Sequence, residues 1–220
     1  MTYLENKTKE YSNYIWYCVF GIIVSLVLVQ FSLIFIGLII LLMIIIEILH
    51  HQKTLWKLGS EGESIVSNIL MSLEGTHHII NDVNLPSTYG NIDHIVVGKN
   101  GVFAIETKHH NGYIECVGDD WRRLKVGRRG TTYSAPIGNP SKQIKTNSMI
   151  LRNLIKEKCG VDNLWVEAIV TFSNEEATVT PINPTVNILE PEMIPEWINS
   201  YKSKNCLNDI QINQIIDTLS

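Results

Sequence analysis

Asn91-Ile-Asp-His-Ile-Val-Val-Gly-Lys-Asn-Gly-Val-Phe-Ala-Ile-Glu-Thr-Lys108 reads as two apolar strands folded back on each other at Lys99-Asn100-Gly101. An Asn-Gly pair between alternating apolar runs is a strong hairpin signal, because both residues tolerate positive φ. Three charges interrupt the pattern: Asp93, Glu106 and Lys108. Glu106 and Lys108 are two apart and share a face with Ala104, while Phe103, Ile105 and Thr107 take the other. With Asn100-Gly101 as the turn, Asp93 lies opposite Lys108; with Lys99-Asn100, it lies opposite Glu106. Both registers gather Asp93, Glu106 and Lys108 on one face. A three-residue loop would set Asp93 opposite Thr107 and scatter them. His94 falls on the face opposite Asp93 and reads as structural.

Upstream, Ile65, Val66, Ile69, Leu70 and Leu73 follow Ser60-Glu61-Gly62-Glu63 at helical spacing. Ser60 and Glu63 match a capping box, which would occupy the Glu63 carboxylate at a helix start. In the alternative, Glu63 projects toward the hairpin carboxylates. One carboxylate cannot do both. Residues 76–85 read as a first strand and 86–90 as a loop. Downstream, 112–117 and 121–126 read as short strands and 127–130 as a turn. Asn139-Pro140 opens a helix that Gly160 stops. Residues 164–172 form a buried strand and 185–189 an edge strand. Pro191–Tyr201 and Asp209–Leu219 read as closing amphipathic helices. His109 and His110 read as exposed loop residues. Trp121 either stacks on a base or anchors a small sheet.

The 220 residues carry a formal charge of −4, which excludes a protein that coats nucleic acid through bulk charge; any such contact needs a local patch. One dense basic run exists: Arg122, Arg123, Lys125, Arg128 and Arg129. It reads as a solvated hairpin tip or as a phosphate-neutralising patch, with Lys142 in the first turn of the following helix, where backbone N–H groups favour anions. Four scattered cysteines lack a C-x-x-C pair and give no zinc site.

From Tyr14 to Ile46 no residue is charged. That is roughly 50 Å of helix against a hydrocarbon core of about 30 Å. Residues 14–49 are therefore expected to lie in a lipid bilayer, as one long tilted helix or as a tight pair broken near Gln30-Phe31-Ser32. Residues 1–13 form a polar lead and 50–58 a linker. Tyr14, Trp16 and Tyr17 suit a membrane interface. Lys7 and Lys9 flank one end and Lys53 and Lys57 the other, so the positive-inside rule gives a single span no orientation.

Asp93, then Glu106-Thr107-Lys108, resembles the D…(D/E)-x-K signature of restriction-endonuclease-like nucleases. Gly62-Glu63, Asn91-Ile92-Asp93-His94, Gly101-Val102-Phe103, Trp121 and Asn139-Pro140-Ser141-Lys142-Gln143 are similar in order and spacing to the nuclease-related domain (NERD) family, over residues 59–172. The resemblance implies an α/β fold: a restriction-endonuclease-like mixed sheet flanked by helices, behind an N-terminal transmembrane helix or helices and closed by residues 173–220. It implies a Mg²⁺ (or Mn²⁺) ion held by Asp93, Glu106 and the Thr107 carbonyl. Lys108 would act on the attacking water, with Glu63 and Gln143 completing the catalytic set. The implied substrate is nucleic acid, DNA before RNA, cut at the cell membrane by a cytoplasmic domain. The competing expectation is a catalytically silent, membrane-tethered nucleic-acid-binding or signalling module.

Overall fold

A computed structural model describes residues 3–28, 33–86 and 90–219. The chain divides into two compact units, Met1–Glu61 and Gly62–Ser220.

The first unit contains helix α1 (Tyr3–Leu28) and the greater part of helix α2 (Leu33–Leu70). Within it the helices lie side by side and antiparallel. Lys53 Nζ stands 3.5 Å from Ser12 Oγ, and a Cβ at Gly21 would meet the Leu42 side chain at 3.1 Å. Residues 14–49 thus fall on two helices rather than one. The anticipated break at Gln30-Phe31-Ser32 lies outside the described residues, as do Ser87, Thr88 and Tyr89 of the anticipated loop. Trp16, Phe20 and Met43 are each more than half exposed. Among the described residues one helix, Phe35–Leu73, is long and apolar enough to cross a membrane.

Ser60 and Glu63 sit inside α2, which corrects the capping-box expectation. A cap serves the free N–H groups of a helix start, and here those groups already lie within a continuous helix.

In the second unit the strands are β1 (His77–Val83), β2 (Ile92–Gly98), β3 (Gly101–Lys108), β4 (Gly112–Val117), β5 (Asp120–Val126), β6 (Thr132–Ser134), β7 (Val166–Phe172), β8 (Ala177–Ile182) and β9 (Asn187–Leu189). They form two mixed sheets, ordered β1-β2-β3-β7-β9 and β6-β5-β4-β8. Both mix antiparallel hairpins with parallel additions: β7 joins β3, β9 joins β7, and β8 joins β4. The second sheet was only half anticipated, because β6 and β8 give weak signals. β8 carries Pro181, tolerated because β8 is an edge strand. β6 is three exposed residues.

Helices α3 (Pro140–Cys159), α4 (Ile194–Ser200) and α5 (Asp209–Leu219) complete the unit. The continuous apolar runs of β2 and β3 arise because the five-stranded sheet is covered on both faces. Val97, Val102 and Ala104 pack with Ile144, Leu151 and Ile155 of α3 and Ile215 of α5. Val96, Phe103 and Ile105 pack with Val66 and Leu70 of α2 and Ile194 and Ile198 of α4. Strand alternation sorts these residues as the sequence predicts.

The hairpin pairs Gly98 with Gly101, so Lys99-Asn100 is the turn. Gly101 takes the positive φ, 138°; Asn100 acts through its side chain instead. Its Oδ1 accepts from His77 Nε2 at 2.8 Å and its Nδ2 donates to the Ile198 carbonyl at 2.6 Å. Asn139 caps α3 by accepting from Lys142 N at 2.8 Å.

Phe103 is fully buried and meets the rings of Trp197 and Tyr201 edge-on at 6.0 and 5.3 Å. Phe103→Ala removes the ring at the centre of this face and should cost about 3–5 kcal/mol. Denaturant unfolding followed by tryptophan fluorescence measures it; a loss below about 1 kcal/mol would refute this packing.

Candidate active site

The register that pairs His94 with Ile105 sets Asp93 level with Glu106. Strand β3 then carries Glu106, Thr107 and Lys108 to its C-terminal end, beside the C-terminal end of its parallel neighbour β7. Ligands in open α/β sheets gather at such strand ends. Lys108 Nζ lies 2.5 Å from Glu106 Oε1 and 3.3 Å from Gln143 Oε1 in the first turn of α3. The Thr107 backbone N–H donates to Asp93 Oδ2 at 2.7 Å. Glu106 is 1 % exposed, and its second oxygen, Oε2, has no hydrogen-bond partner. A carboxylate oxygen buried without a donor is costly and calls for explanation.

Glu63 approaches from α2, and Gly62 allows the approach. A Cβ at Gly62 would lie 2.6 Å from both His109 Cβ and Ser173 Oγ, so only glycine lets the helix seat here. His109 departs from the exposed-loop expectation. Its Nε2 accepts from Asn174 Nδ2 at 3.2 Å, so its Nδ1–H donates to Ser173 Oγ at 3.1 Å. The imidazole thereby fastens the segment after Lys108 to the segment after β7. His110 is likewise half-buried; burial, then Arg123, Lys108 and Lys125, pushes it down to about 4.

A fourth carboxylate escaped the sequence reading. Asn81 pairs with His94 and Val83 with Ile92, which puts Asp82 level with Asp93 on the neighbouring strand. Asp82 adopts a φ of 58° and accepts from Asn91 Nδ2 at 2.5 Å. The polar Asn81-Asp82 pair between Ile80 and Val83 is the signal that could have marked it.

The charges are unbalanced. Burial, then Asp82 and Glu106, raises Glu63 to about 7. Burial, then Glu106 and Glu63, lifts Asp93 well above the usual carboxylate range. Burial also raises Glu106, opposed by Lys108. Lys108 would be lowered by burial, but Glu106, with Asp93 and Glu63, leaves it above its ordinary value as a firm ammonium. One cation thus faces several carboxylates in low dielectric, an arrangement that retains protons or attracts a further cation. No three of the described His, Cys, Asp and Glu side chains are grouped tightly enough to hold an ion alone. The oxygen donor set nevertheless suits a hard divalent ion, which uses one or two carboxylates and completes its shell with water and phosphate.

The basic run does not form one patch. Strand alternation turns Arg122 outward and Arg123 inward. Arg123 is buried, donating to the Asn111 carbonyl and Oδ1, both at 2.8 Å, and to the Pro136 carbonyl at 3.2 Å. It serves the fold rather than a phosphate, which corrects that expectation. Arg128, Arg129 and Lys142 are exposed, and Lys125 is half-buried on the side that reaches His110. Trp121 takes the anchoring role: Nε1 donates to Ser141 Oγ at 2.8 Å, and the ring packs on Phe172 at 5.6 Å. His94 is neutral, pushed by burial down to about 4, and bonds Asn81 Oδ1 through Nδ1 at 2.7 Å.

A family model, the nuclease-related domain, matches residues 58–173. An uncharacterized protein of Bacillus anthracis is 38% identical over 63 residues, covering 27% of this chain and 29% of that protein. The match therefore spans less than a third of that relative. No solved structure matches the chain significantly.

Glu63 has a stability consequence. Folded, it holds its proton more tightly than unfolded, so its contribution is complete below its ordinary value of 4.5 and lost as pH rises through about 7. Asp93 and Glu106 act in the same direction. In EDTA the melting temperature should fall between pH 4.5 and 7, and Glu63→Gln should flatten that slope. A melting temperature that rises across this window would contradict the crowded-carboxylate picture.

Proposed function

The chain belongs to the nuclease-related domain family, and from that premise we propose that it hydrolyses phosphodiester bonds of nucleic acid, DNA before RNA. The observation that carries this reading is the buried Glu106 carboxylate, paired through one oxygen and bare on the other, level with Asp93. Asp93 and Glu106 would hold Mg²⁺ or Mn²⁺, with the Thr107 carbonyl as a third ligand. A bound ion of this kind supplies an acidic water and charge compensation at the phosphate.

The chain's own residues supply the rest. Lys108, kept as an ammonium by its carboxylate neighbours, is suited to orient water and offset transition-state charge rather than to remove a proton. Gln143 holds the Lys108 side chain on the face that carries Glu106. Glu63 adds a carboxylate from α2 that would help balance the charge of a bound divalent ion. Arg122, Arg128, Arg129, Lys125 and Lys142 would neutralise backbone phosphates on the α3 and second-sheet side. A groove of about 690 Å³ near the β7 end is rimmed by Glu175, Glu190 and Glu192, and a polyanion is expected to avoid it.

For the first unit we propose a cell-membrane anchor, with the nuclease-like unit cytoplasmic. The apolar length of α2 and the exposure of the α1–α2 side chains support this.

The 2.5 Å Lys108–Glu106 pair also suits a second reading, in which the ammonium permanently closes the site and the unit binds nucleic acid without cutting it. The purified full chain, incubated with Mg²⁺ or Mn²⁺ and mixed DNA and RNA, separates the two. Hydrolysis should disappear in EDTA and fall by about 10²-fold or more in Glu106→Gln and in Lys108→Ala, with the fold intact by circular dichroism. Salt-sensitive binding without hydrolysis would favour the second reading, and cleavage indifferent to both substitutions would dismiss this site.

A further inference from the structure

We infer that α1 and α2 enter the bilayer together as a hairpin, so that both polar ends of the pair lie on the same membrane face. This rests on the membrane reading above and adds the location of the N-terminus, on the same face as the nuclease-like unit.

The first observation is the antiparallel contact. Ser12 meets Lys53 and Gly21 approaches Leu42, so the two arms lie level along their length. The second is where charge stops. Glu10 is the last charged residue of the first arm and Glu47 the first of the second. The uncharged described stretches, 11–28 and 33–46, measure about 27 and 21 Å as helix, short of the roughly 30 Å hydrocarbon core. A single rod crossing from Tyr14 to Ile46 is not what the chain forms. The pair instead presents an apolar body whose charges all collect at one end.

The third observation is the placement of the lysines, which the positive-inside rule counts irrespective of neighbouring acids. Lys7 and Lys9 lie on one arm, Lys53 and Lys57 on the other. Split across a single span they cancel as an orientation signal. Gathered at one end, they act together, and the positive-inside rule assigns that end to the cytoplasm. Tyr14, Trp16 and Tyr17, exposed just inside Glu10, occupy the depth of an interfacial aromatic belt. Phe20, Ile23, Met43 and Ile44 are each more than half exposed nearer the apolar end; acyl chains are the occupant that fits an apolar surface bounded by aromatic rings and lysines. The chain after Glu61 then starts from the cytoplasmic face.

The test uses the full chain with an epitope tag at each terminus, expressed in bacterial cells. Membranes are extracted with alkaline carbonate, and protease digestion is compared between right-side-out and inverted vesicles. The hairpin predicts a carbonate-resistant protein whose two tags are both protected in right-side-out vesicles and both cleaved in inverted ones. Tags on opposite faces would overturn the hairpin and leave the membrane reading intact. Recovery in the soluble fraction, as a monomer or with the helices buried against a second copy, would overturn both.

Discussion

A carboxylate held almost free of water on the middle strand of a five-stranded sheet constrains much of the second unit. Glu106 is stable there only while something positive stands beside it, and Lys108, two residues on and on the same face, meets that need. Leaving one such charge uncompensated is far more expensive than leaving a surface pair unmade. Around that pair, β2 sets Asp93 level with Glu106, α3 starts where Gln143 reaches the ammonium, and α2 brings Glu63 close. The glycine in α2 belongs to the same corner, since a side chain there would strike His109 and Ser173.

Much of this was legible in the sequence because period-two alternation and turn chemistry are local. Glu106 and Lys108 had to share a face whichever turn formed, and the Asn139-Pro140 start and Gly160 stop of α3 follow from capping alone. What could not be read was set by partners far along the chain. Ser60 and Glu63 match a helix start, yet α2 begins at Leu33, so the local signal was overridden by an upstream helix. Arg123 belongs to a basic run on paper, but its position on β5 sends it to the carbonyls of Asn111 and Pro136. Asp82 became visible only when β1 was laid against β2. His109 looked like an exposed loop residue until Ser173 and Asn174 arrived from 64 and 65 residues on.

The two tight approaches at this corner differ in kind. Gly62 acts by absence, since any side chain there would strike His109 and Ser173. His109 acts by presence, spending both ring nitrogens to fix the segment that carries Lys108. Together they tie the helix bearing Glu63 to the strand bearing Glu106. An imidazole adjoining the site thus has a mechanical duty that accounts for it without any chemistry.

The parallel pairing of β3 with β7 also sets an order of assembly. β3 ends at Lys108 and β7 begins at Val166, so the hairpin leaves the ribosome well before its neighbour. Until then one long apolar edge of β3 has no ladder partner, the kind of edge that recruits strands from other chains. Non-local pairing of this sort is slow to form. Helices α1 and α2 precede the hairpin in the chain, so under the proposed membrane anchor that interval would pass at a surface, with copies spaced from one another rather than diffusing together.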